Sequence, residues 1–352
     1  GESTLIYVLA SGRSSALFAV LAGVGLALAT GGATPPRGLA LRQAWAATAT
    51  RALLLVFVGM IIGALDSGVA VILVYYGALF LLGIPFLGLG PRVLLPLAAV
   101  WAVVMPLLSQ GLRADGPPSP GAPVTAESFN HPGDLLWQLT LTGYYPALPW
   151  LAYMLAGLGL GRLMLASTRV VIPVLLGGAA LATATYVISW VWLERGAMER
   201  VVDAGTGMHP ASRPYAEAGE LLNTGFYGTT PLTSDWWLVI ASPHTATPFD
   251  LLHTIGTSAA VLALMLLLAR KLATVLSPLA AIGSMTFTLY TTHVILLASA
   301  LPRELEYAVQ IHIAVAFAIA VPWRRYVGRG PLEALAARLA RSARAAVSDA
   351  RR

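Results

Sequence analysis

The sequence contains no cysteine, a single lysine and few charged residues of either sign. Only 11% of its 352 residues are charged, whereas about a quarter are charged in soluble globular proteins. Without cysteine, the chain cannot form a disulfide framework, a thiolate metal site or a cysteine nucleophile. Any chemistry therefore rests on His, Asp, Glu, Ser and Arg, and water is not the solvent for most of the surface.

Long hydrophobic stretches are present instead. Hydrophobic residues make up 57% of the chain, and the mean hydropathy is +0.74. Because many stretches approach the roughly 17 to 25 residues that cross a hydrocarbon core, we predict an all-α, polytopic transmembrane helical bundle with about nine spans. The predicted spans are residues 14–29, 51–65, 69–85, 91–110, 144–165, 170–193, 249–269, 277–299 and 305–321.

The charged residues predict the orientation, because cytoplasmic connections of membrane proteins carry the excess of Arg and Lys. When successive connections between spans are assigned alternately to the two sides of the membrane, one side carries about 16 basic and about 2 acidic residues. The other side carries about 6 basic and about 14 acidic residues. The basic side is therefore predicted to be cytoplasmic. This places Gly1 outside, and we expect one further helix upstream, about ten in all. The preference for Arg over Lys is typical of GC-rich bacteria such as actinobacteria, so we predict a bacterial cytoplasmic membrane.

Two outer connections and a tail complete the predicted organisation. A transmembrane domain covers residues 1–325, with outer loops at residues 111–143 and 194–248, and the second loop is aromatic enough to fold over the mouth of the bundle. Residues 326–352 form a predicted cytoplasmic tail, with leucines on one helical face and arginines on another, which indicates a basic amphipathic helix at an anionic lipid surface. The formal charge of +6 is spread over helix ends, so nucleic acid is not a predicted partner.

Ionisable residues at the outer ends of membrane helices are candidates for a functional site, since each is costly there unless it is paired or hydrated. Asp250 and His253 are three residues apart at the start of the seventh span, so their side chains share a helix face. His293 in the eighth span and Arg13 before the first are predicted at the same depth. His244 lies just before the seventh span.

These residue types favour proton transfer. An imidazole beside a carboxylate is an oriented general base, so His253 or His293 is the predicted base or proton shuttle and Asp250 the predicted orienting group. The pattern also allows structural roles, namely a helix N-terminal carboxylate for Asp250 and a bond between helices for His293, while His312 is expected to bond internally. No ligand spacing of a zinc site is present, so no metal is expected.

Four stretches of the sequence resemble a known family. They are SGRSSALFAVLAGVGLAL from Ser11, LTGYYPALPWLAYMLAGLGLGRL from Leu141, PHTATPFDLLHTIG from Pro243 and LSPLAAIGSMTFTLYTTHVILL from Leu276. Together they resemble the bacterial heparan-alpha-glucosaminide N-acetyltransferase-like membrane proteins, part of a wider membrane acyltransferase superfamily. The resemblance covers most of the chain and is specific for membership rather than for substrate.

The resemblance implies transfer of an acyl group, usually acetyl from cytoplasmic acetyl-CoA, to a sugar hydroxyl or amine across the membrane. We therefore predict an O- or N-acyltransferase that modifies an envelope glycan or glycolipid. Arg13 and His244 are the predicted substrate-binding residues. In the lysosomal member of the family the active-site His precedes the helix equivalent to the first span, and no His lies between Gly1 and Ser11. Either an upstream segment carries that His, or this branch of the family uses another base.

Basic residues at the inner helix ends are predicted to hold the phosphates of acetyl-CoA by charge-assisted hydrogen bonds. They are Arg42, Arg51, Arg162 and Arg270. Two other functions stay open: a transporter or flippase whose intramembrane charges line a path, and a non-catalytic scaffold subunit of an envelope-assembly complex. Membrane lipids are expected partners in each case, and a homo-oligomer is possible in each.

Overall fold

The computed structural model describes residues 13–117, 123–204, 222 and 225–349. Parts of both predicted outer loops and of the tail lie outside these ranges. The α-helices, numbered here in chain order, are α1 (Arg13–Ala29), α2 (Gly38–Gly63), α3 (Leu73–Gly83), α4 (Pro91–Ala114), α5 (Pro132–Trp137), α6 (Ala147–Gly161), α7 (Thr168–Trp192), α8 (Met198–Ala204), α9 (Pro248–Gly283), α10 (Thr286–Leu297), α11 (Ala308–Tyr326) and α12 (Pro331–Asp349). Short 3-10 helices cover Ile84–Phe86, Ala126–Asn130 and Asp235–Val239, and π-helical turns cover Gln138–Thr142 and Leu193–Ala197. The described ranges contain no strand, and the predicted all-α class is confirmed.

Four helices are long and apolar enough to cross a membrane: α2, α4, α9, and α7 with its extension to Ala204. Shorter apolar helices are α1, α3 with the turn that follows it, α6 and α10. Every predicted span overlaps one of the described helices. The chain is therefore a helical membrane protein.

One predicted helix boundary is wrong. Helix α2 begins at Gly38 rather than Arg51, because the stretch from Ala44 to Thr50 has modest hydropathy but is rich in alanine, the best helix former. The break predicted after the seventh span is present close to Ala269. Leu272 has non-helical backbone angles, φ −116° and ψ 27°, so α9 consists of two helical segments that meet at a kink, and the second segment ends at Gly283.

The chain divides into two compact units, and the first comprises Gly1–Pro36, Pro85–Gly121 and Leu136–Leu266. Its core is α6, an uncharged helix that packs between α1 and α4 and is buried at every position except Leu148. Glycine allows this packing: a Cβ on Gly157 would overlap the carbonyl oxygen of Val20 in α1. Helices α7 and α9 also approach closely, since a Cβ on Gly178 would lie 2.7 Å from the carbonyl oxygen of Gly256.

The described part of the connection between α8 and α9 has a hydrophobic cluster of its own in the first unit. Phe226, Trp237 and Ile240 are buried together with Val201 of α8. The ring of Trp237 packs edge-on against Phe226, with 5.6 Å between their centroids. This cluster fixes the segment that leads into α9.

The second unit comprises Arg37–Ile84, Ala122–Leu135 and Leu267–Arg352. Helix α2 packs against both α3 and α12, and α10 packs against α11 around the buried Met285 and Ala320. The tail forms the predicted helix, and it docks on protein through Ala340 and through a hydrogen bond of 2.7 Å from Gln43 to Ser348. Its exposed face carries both leucines and arginines: Leu335, Leu339, Arg338 and Arg341.

Candidate functional site

The turn that leads into α9 carries the candidate site of the first unit. Thr247 precedes Pro248 and caps the helix, because its hydroxyl oxygen accepts the N–H of Asp250 at 3.0 Å. Proline suits the first helical position, where its missing N–H would have no helical partner. The turn itself is unusual, since His244 and Ala246 both have left-handed backbone conformations, with φ of 57° and 52°.

Asp250 is buried and serves this turn. Its carboxylate accepts the N–H of Ala246 at 3.1 Å and the hydroxyl of Thr254 at 3.4 Å. It makes no hydrogen bond to His253. The predicted orienting role toward His253 is therefore wrong: the first helical turn directs this carboxylate back to the preceding backbone, where it stabilises the turn that holds His244.

His253 is oriented by a backbone carbonyl instead. Its Nδ1 lies 2.9 Å from the carbonyl oxygen of Ala182 in α7, and since a carbonyl only accepts, Nδ1 carries the proton. The neutral imidazole then has its lone pair on Nε2, which is buried without a hydrogen-bond partner. The close approach at Gly178 and Gly256 brings α7 near enough for this bond.

Arg13 at the start of α1 lies near this pair. Its positive charge acts on both Asp250 and His253, so the structure brings together three of the predicted site residues within the first unit. A guanidinium beside a buried carboxylate offsets part of the cost of burying that charge. The predicted roles of His253 in catalysis and of Arg13 in substrate binding stay predictions.

His244 lies among aromatic rings. It stacks on Trp150, with 9° between the ring planes and 6.4 Å between centroids, and its centroid is 4.8 Å from Tyr144 and 5.7 Å from Tyr145. Its Nδ1 is buried without a partner. Burial lowers the pKa of His244 to about 4, so this ring is neutral at pH 7. The surroundings of His244 are therefore largely aromatic, and the Nδ1 atom of this ring has no hydrogen-bond partner.

His293 belongs to the second unit, where it pairs with His312. The two Nδ1 atoms are 3.0 Å apart, and Nε2 of His312 lies 2.9 Å from the carbonyl oxygen of Leu301. Because that carbonyl only accepts, a neutral His312 donates from Nε2 and accepts from His293 at Nδ1. This arrangement places the lone pair of His293 on Nε2. The expected internal bond of His312 is present, and a shared cavity of His293 with His253 stays a prediction.

The four predicted CoA-binding arginines have different surroundings. Arg42 and Arg270 are exposed, and Arg51 is half-buried near the charge of Arg344. Arg162 is 2% exposed, and its guanidinium donates to the carbonyl oxygens of Ala27, Thr30, Gly32 and Leu87 and to the Thr30 hydroxyl. These contacts contradict the predicted phosphate-binding role of Arg162, which instead closes the C-terminal end of α1.

The sequence interpretation missed the partners of the two histidines. Tyr144, Tyr145 and Trp150 surround His244, and the only sequence signal was the aromatic run before α6. The backbone carbonyl of Ala182 has no side-chain signature at all. The described residues hold no group of three or more potential metal ligands.

Comparison with known proteins places this arrangement in a family. The family model described as heparan-alpha-glucosaminide N-acetyltransferase, catalytic, matches residues 2–188, which is more than half of the chain. Comparisons with curated proteins and with solved structures gave no significant match. The matched region includes Arg13, Ala182 and the rings around His244, whereas His253 follows it. The chain therefore belongs to the heparan-alpha-glucosaminide N-acetyltransferase family of membrane acetyltransferases.

Proposed function

We propose that this protein transfers an acetyl group from acetyl-CoA to an amine or hydroxyl of an envelope glycan or glycolipid, with His253 as the general base. The observation that carries the proposal is the buried, unpartnered Nε2 of His253, whose tautomer is set by Ala182. An unpaired buried nitrogen costs free energy unless a ligand or water meets it, and a neutral imidazole with a free lone pair accepts a proton.

The proposed step is direct transfer. The acceptor nitrogen or oxygen attacks the thioester carbonyl carbon, a new C–N or C–O bond forms, and the C–S bond breaks. The proton of the acceptor passes to Nε2 of His253, which returns it to the CoA sulfur. Arg13 would stabilise the negative charge that develops on the carbonyl oxygen, as a cationic hydrogen-bond donor does in acyl transfer.

The acceptor would lie beside His244. Flat aromatic rings provide apolar contact area to one face of a ligand, and the unpartnered Nδ1 of His244 would form a hydrogen bond with a ligand hydroxyl. Tyr227 is 75% exposed and packs edge-on against Tyr144, which extends this surface. These contacts support a sugar-like acceptor with hydroxyl groups.

A reaction with labelled acetyl-CoA in proteoliposomes tests this proposal, with glucosamine as the acceptor probe. His253→Gln should reduce transfer by about 100-fold or more, since a positioned base contributes that much. His131→Gln, at an exposed loop position, is the matched control and should keep wild-type activity. Full activity of the His253 variant would reject this base, and loss only in His293→Gln would assign the role to His293.

We further propose a bacterial cytoplasmic membrane location with a cytoplasmic C-terminus, on the basis of the arginine distribution. The phosphates of CoA would then meet the basic inner helix ends, among them Arg51, Arg42 and Arg270. A reporter fused after Arg352 should be active in the cytoplasm, while a tag beside Thr233 should be labelled from outside. The opposite labelling would overturn the proposed orientation and would place the basic helix ends outside, away from cytoplasmic acetyl-CoA.

A further inference from the structure

A second polar group lies at the C-terminal end of α4. Arg113 donates from Nη1 to the carbonyl oxygen of Thr230 at 3.0 Å, and Gln110, one turn earlier, donates from Nε2 to the carboxylate of Asp235 at 2.9 Å. Both side chains continue the buried face of α4, which includes Ala102 and Ser109. The side chain of Arg113 therefore packs against the connection between α8 and α9 and does not point toward lipid.

This group contains buried polar atoms that no partner satisfies. Nε of Arg113 and Oε1 of Gln110 are both buried without a hydrogen bond, and so is the hydroxyl of Thr142 in the π-helical turn packed against α4. The ion pair between Arg303 and Glu304 is the only one found among described residues, so no carboxylate in the described part of the chain pairs with Arg113. A guanidinium held mostly out of water without an anion is costly, and a bound anion would remove that cost.

The group is connected to the candidate site by a short piece of chain. The N–H of Gly228 donates to the carbonyl oxygen of His244 at 2.9 Å, and Thr230, which accepts from Arg113, is two residues further on. Two residues span at most about 7 Å. The guanidinium is thus joined to the turn that holds His244 through the short segment from Gly228 to Thr230.

The depth of Arg113 in the membrane indicates the kind of anion. Helix α4 has 24 residues, about 36 Å, which is longer than a hydrocarbon core of roughly 30 Å. Its last turn is therefore expected at the level of the lipid headgroups, and Leu108 and Leu112 on its other face are exposed apolar side chains, which suit contact with lipid. Phosphate is the anion of that layer, and the planar guanidinium fork binds it through parallel hydrogen bonds.

We propose that Arg113 and Gln110 form a phosphate-binding subsite beside the His244 rings, with Arg113 binding the phosphate and Oε1 of Gln110 accepting from a neighbouring hydroxyl. The ligand would be a phosphate-bearing lipid headgroup, and only its identification as the acceptor rests on the proposed function. The subsite would hold the phosphate while the rest of the headgroup reaches the rings.

Calorimetric titration of the full chain in a phosphate-free detergent tests this subsite. The probes are short-chain phosphatidic acid, inorganic phosphate, glucuronate and a short-chain diacylglycerol without phosphate. Phosphatidic acid should bind saturably, and Arg113→Gln should weaken binding by about tenfold or more, the usual loss when a charge-assisted hydrogen bond is removed. Arg92→Gln, at the exposed opposite end of α4, should bind as wild type does.

The other outcomes are equally informative. Arg113→Lys keeps the charge but not the fork, so it should lose less affinity than Arg113→Gln and serves as the test if the glutamine variant does not fold. Binding of inorganic phosphate alone would overturn the lipid source, and preference for glucuronate, or equal binding by Arg113→Gln, would overturn the subsite. His253→Gln should still bind phosphatidic acid. The binding measurement therefore tests the phosphate subsite even if the protein does not transfer acetyl groups.

Discussion

Glu333 and Thr288, 45 residues apart in sequence, are joined by two hydrogen bonds. The carboxylate of Glu333 accepts the Thr288 hydroxyl at 2.6 Å and the Thr288 N–H at 3.1 Å, and it also accepts the N–H of Phe287 at 2.7 Å. Met285 at the N-cap position of α10 makes no capping bond. The tail helix therefore supplies the cap, and the negative charge suits the positive end of the helix that carries His293.

Replacing Glu333 with alanine should lower the free energy of unfolding by about 1 to 3 kcal/mol, because it leaves helix N–H groups without an acceptor. Thermal unfolding in detergent measures the change. Glu304→Gln is the control, since Glu304 pairs with Arg303 at the exposed surface, where an ion pair contributes little. A stable Glu333→Ala variant would show that the tail helix is not needed to hold α10.

Arg162→Lys should destabilise the protein by roughly 2 to 4 kcal/mol, although it keeps the positive charge. Lysine cannot reproduce the guanidinium fork that reaches the carbonyl oxygens of Ala27, Gly32 and Leu87 together, and unsatisfied buried carbonyl groups are costly. Arg169→Lys, at an exposed position nearby, should unfold at the wild-type temperature. If both variants behave alike, the buried contacts of Arg162 contribute nothing to stability.

Gly157→Ala should separate α6 from α1 and cost about 1 to 3 kcal/mol, since the new methyl group would overlap the backbone of Val20. Gly25→Ala provides the matched control on α1. A Cβ at Gly25 meets nothing within 4 Å, and alanine is the better helix former, so this change should be neutral or stabilising. Equal unfolding temperatures for the two variants would contradict the close helix contact.

Stability should depend on pH through His244. The ordinary pKa of this imidazole is 6.5, but burial lowers its pKa to about 4 in the folded protein. Between these values the unfolded chain binds more protons, so stability should fall as the pH is lowered from about 6.5 toward 4, by up to roughly 3 kcal/mol.

Unfolding curves of His244→Asn across this pH range provide the check. Asparagine tolerates the left-handed backbone conformation at this position, so the variant should fold and lose part of the pH dependence. His131→Asn, at an exposed position, should retain the wild-type slope. An unchanged slope in His244→Asn would mean that another group causes the acid sensitivity.

Hydropathy located the apolar helices well because length and composition alone make a segment able to cross a membrane. It failed where helix propensity and hydropathy differ, as in the alanine-rich start of α2. A spacing of three residues correctly placed Asp250 and His253 on one helix, but it could not show where their hydrogen bonds go. Those bonds go to the backbone of Ala246 and Ala182, and sequence patterns carry no record of carbonyl positions.

The sequence cues at Arg162 were also misleading, since a basic residue at a helix end is typical of an exposed charge at the cytoplasmic side. Its burial depends on α1 ending at Ala29 and on the carbonyl groups of the next few residues converging on one point. The burial of Arg162 thus requires three chain segments to pack together, namely the end of α6, the residues from Ala27 to Gly32, and Leu87.

The connection from Thr30 to Gly32 looks like a flexible hinge in the sequence, with two glycines between helices. In the folded chain its carbonyl groups surround a buried guanidinium, as solvent would surround a dissolved cation. An epitope or cysteine inserted here to map membrane topology would remove that solvation shell and report on a damaged protein. Topology probes belong after Pro35, where the chain is already past the Arg162 contacts.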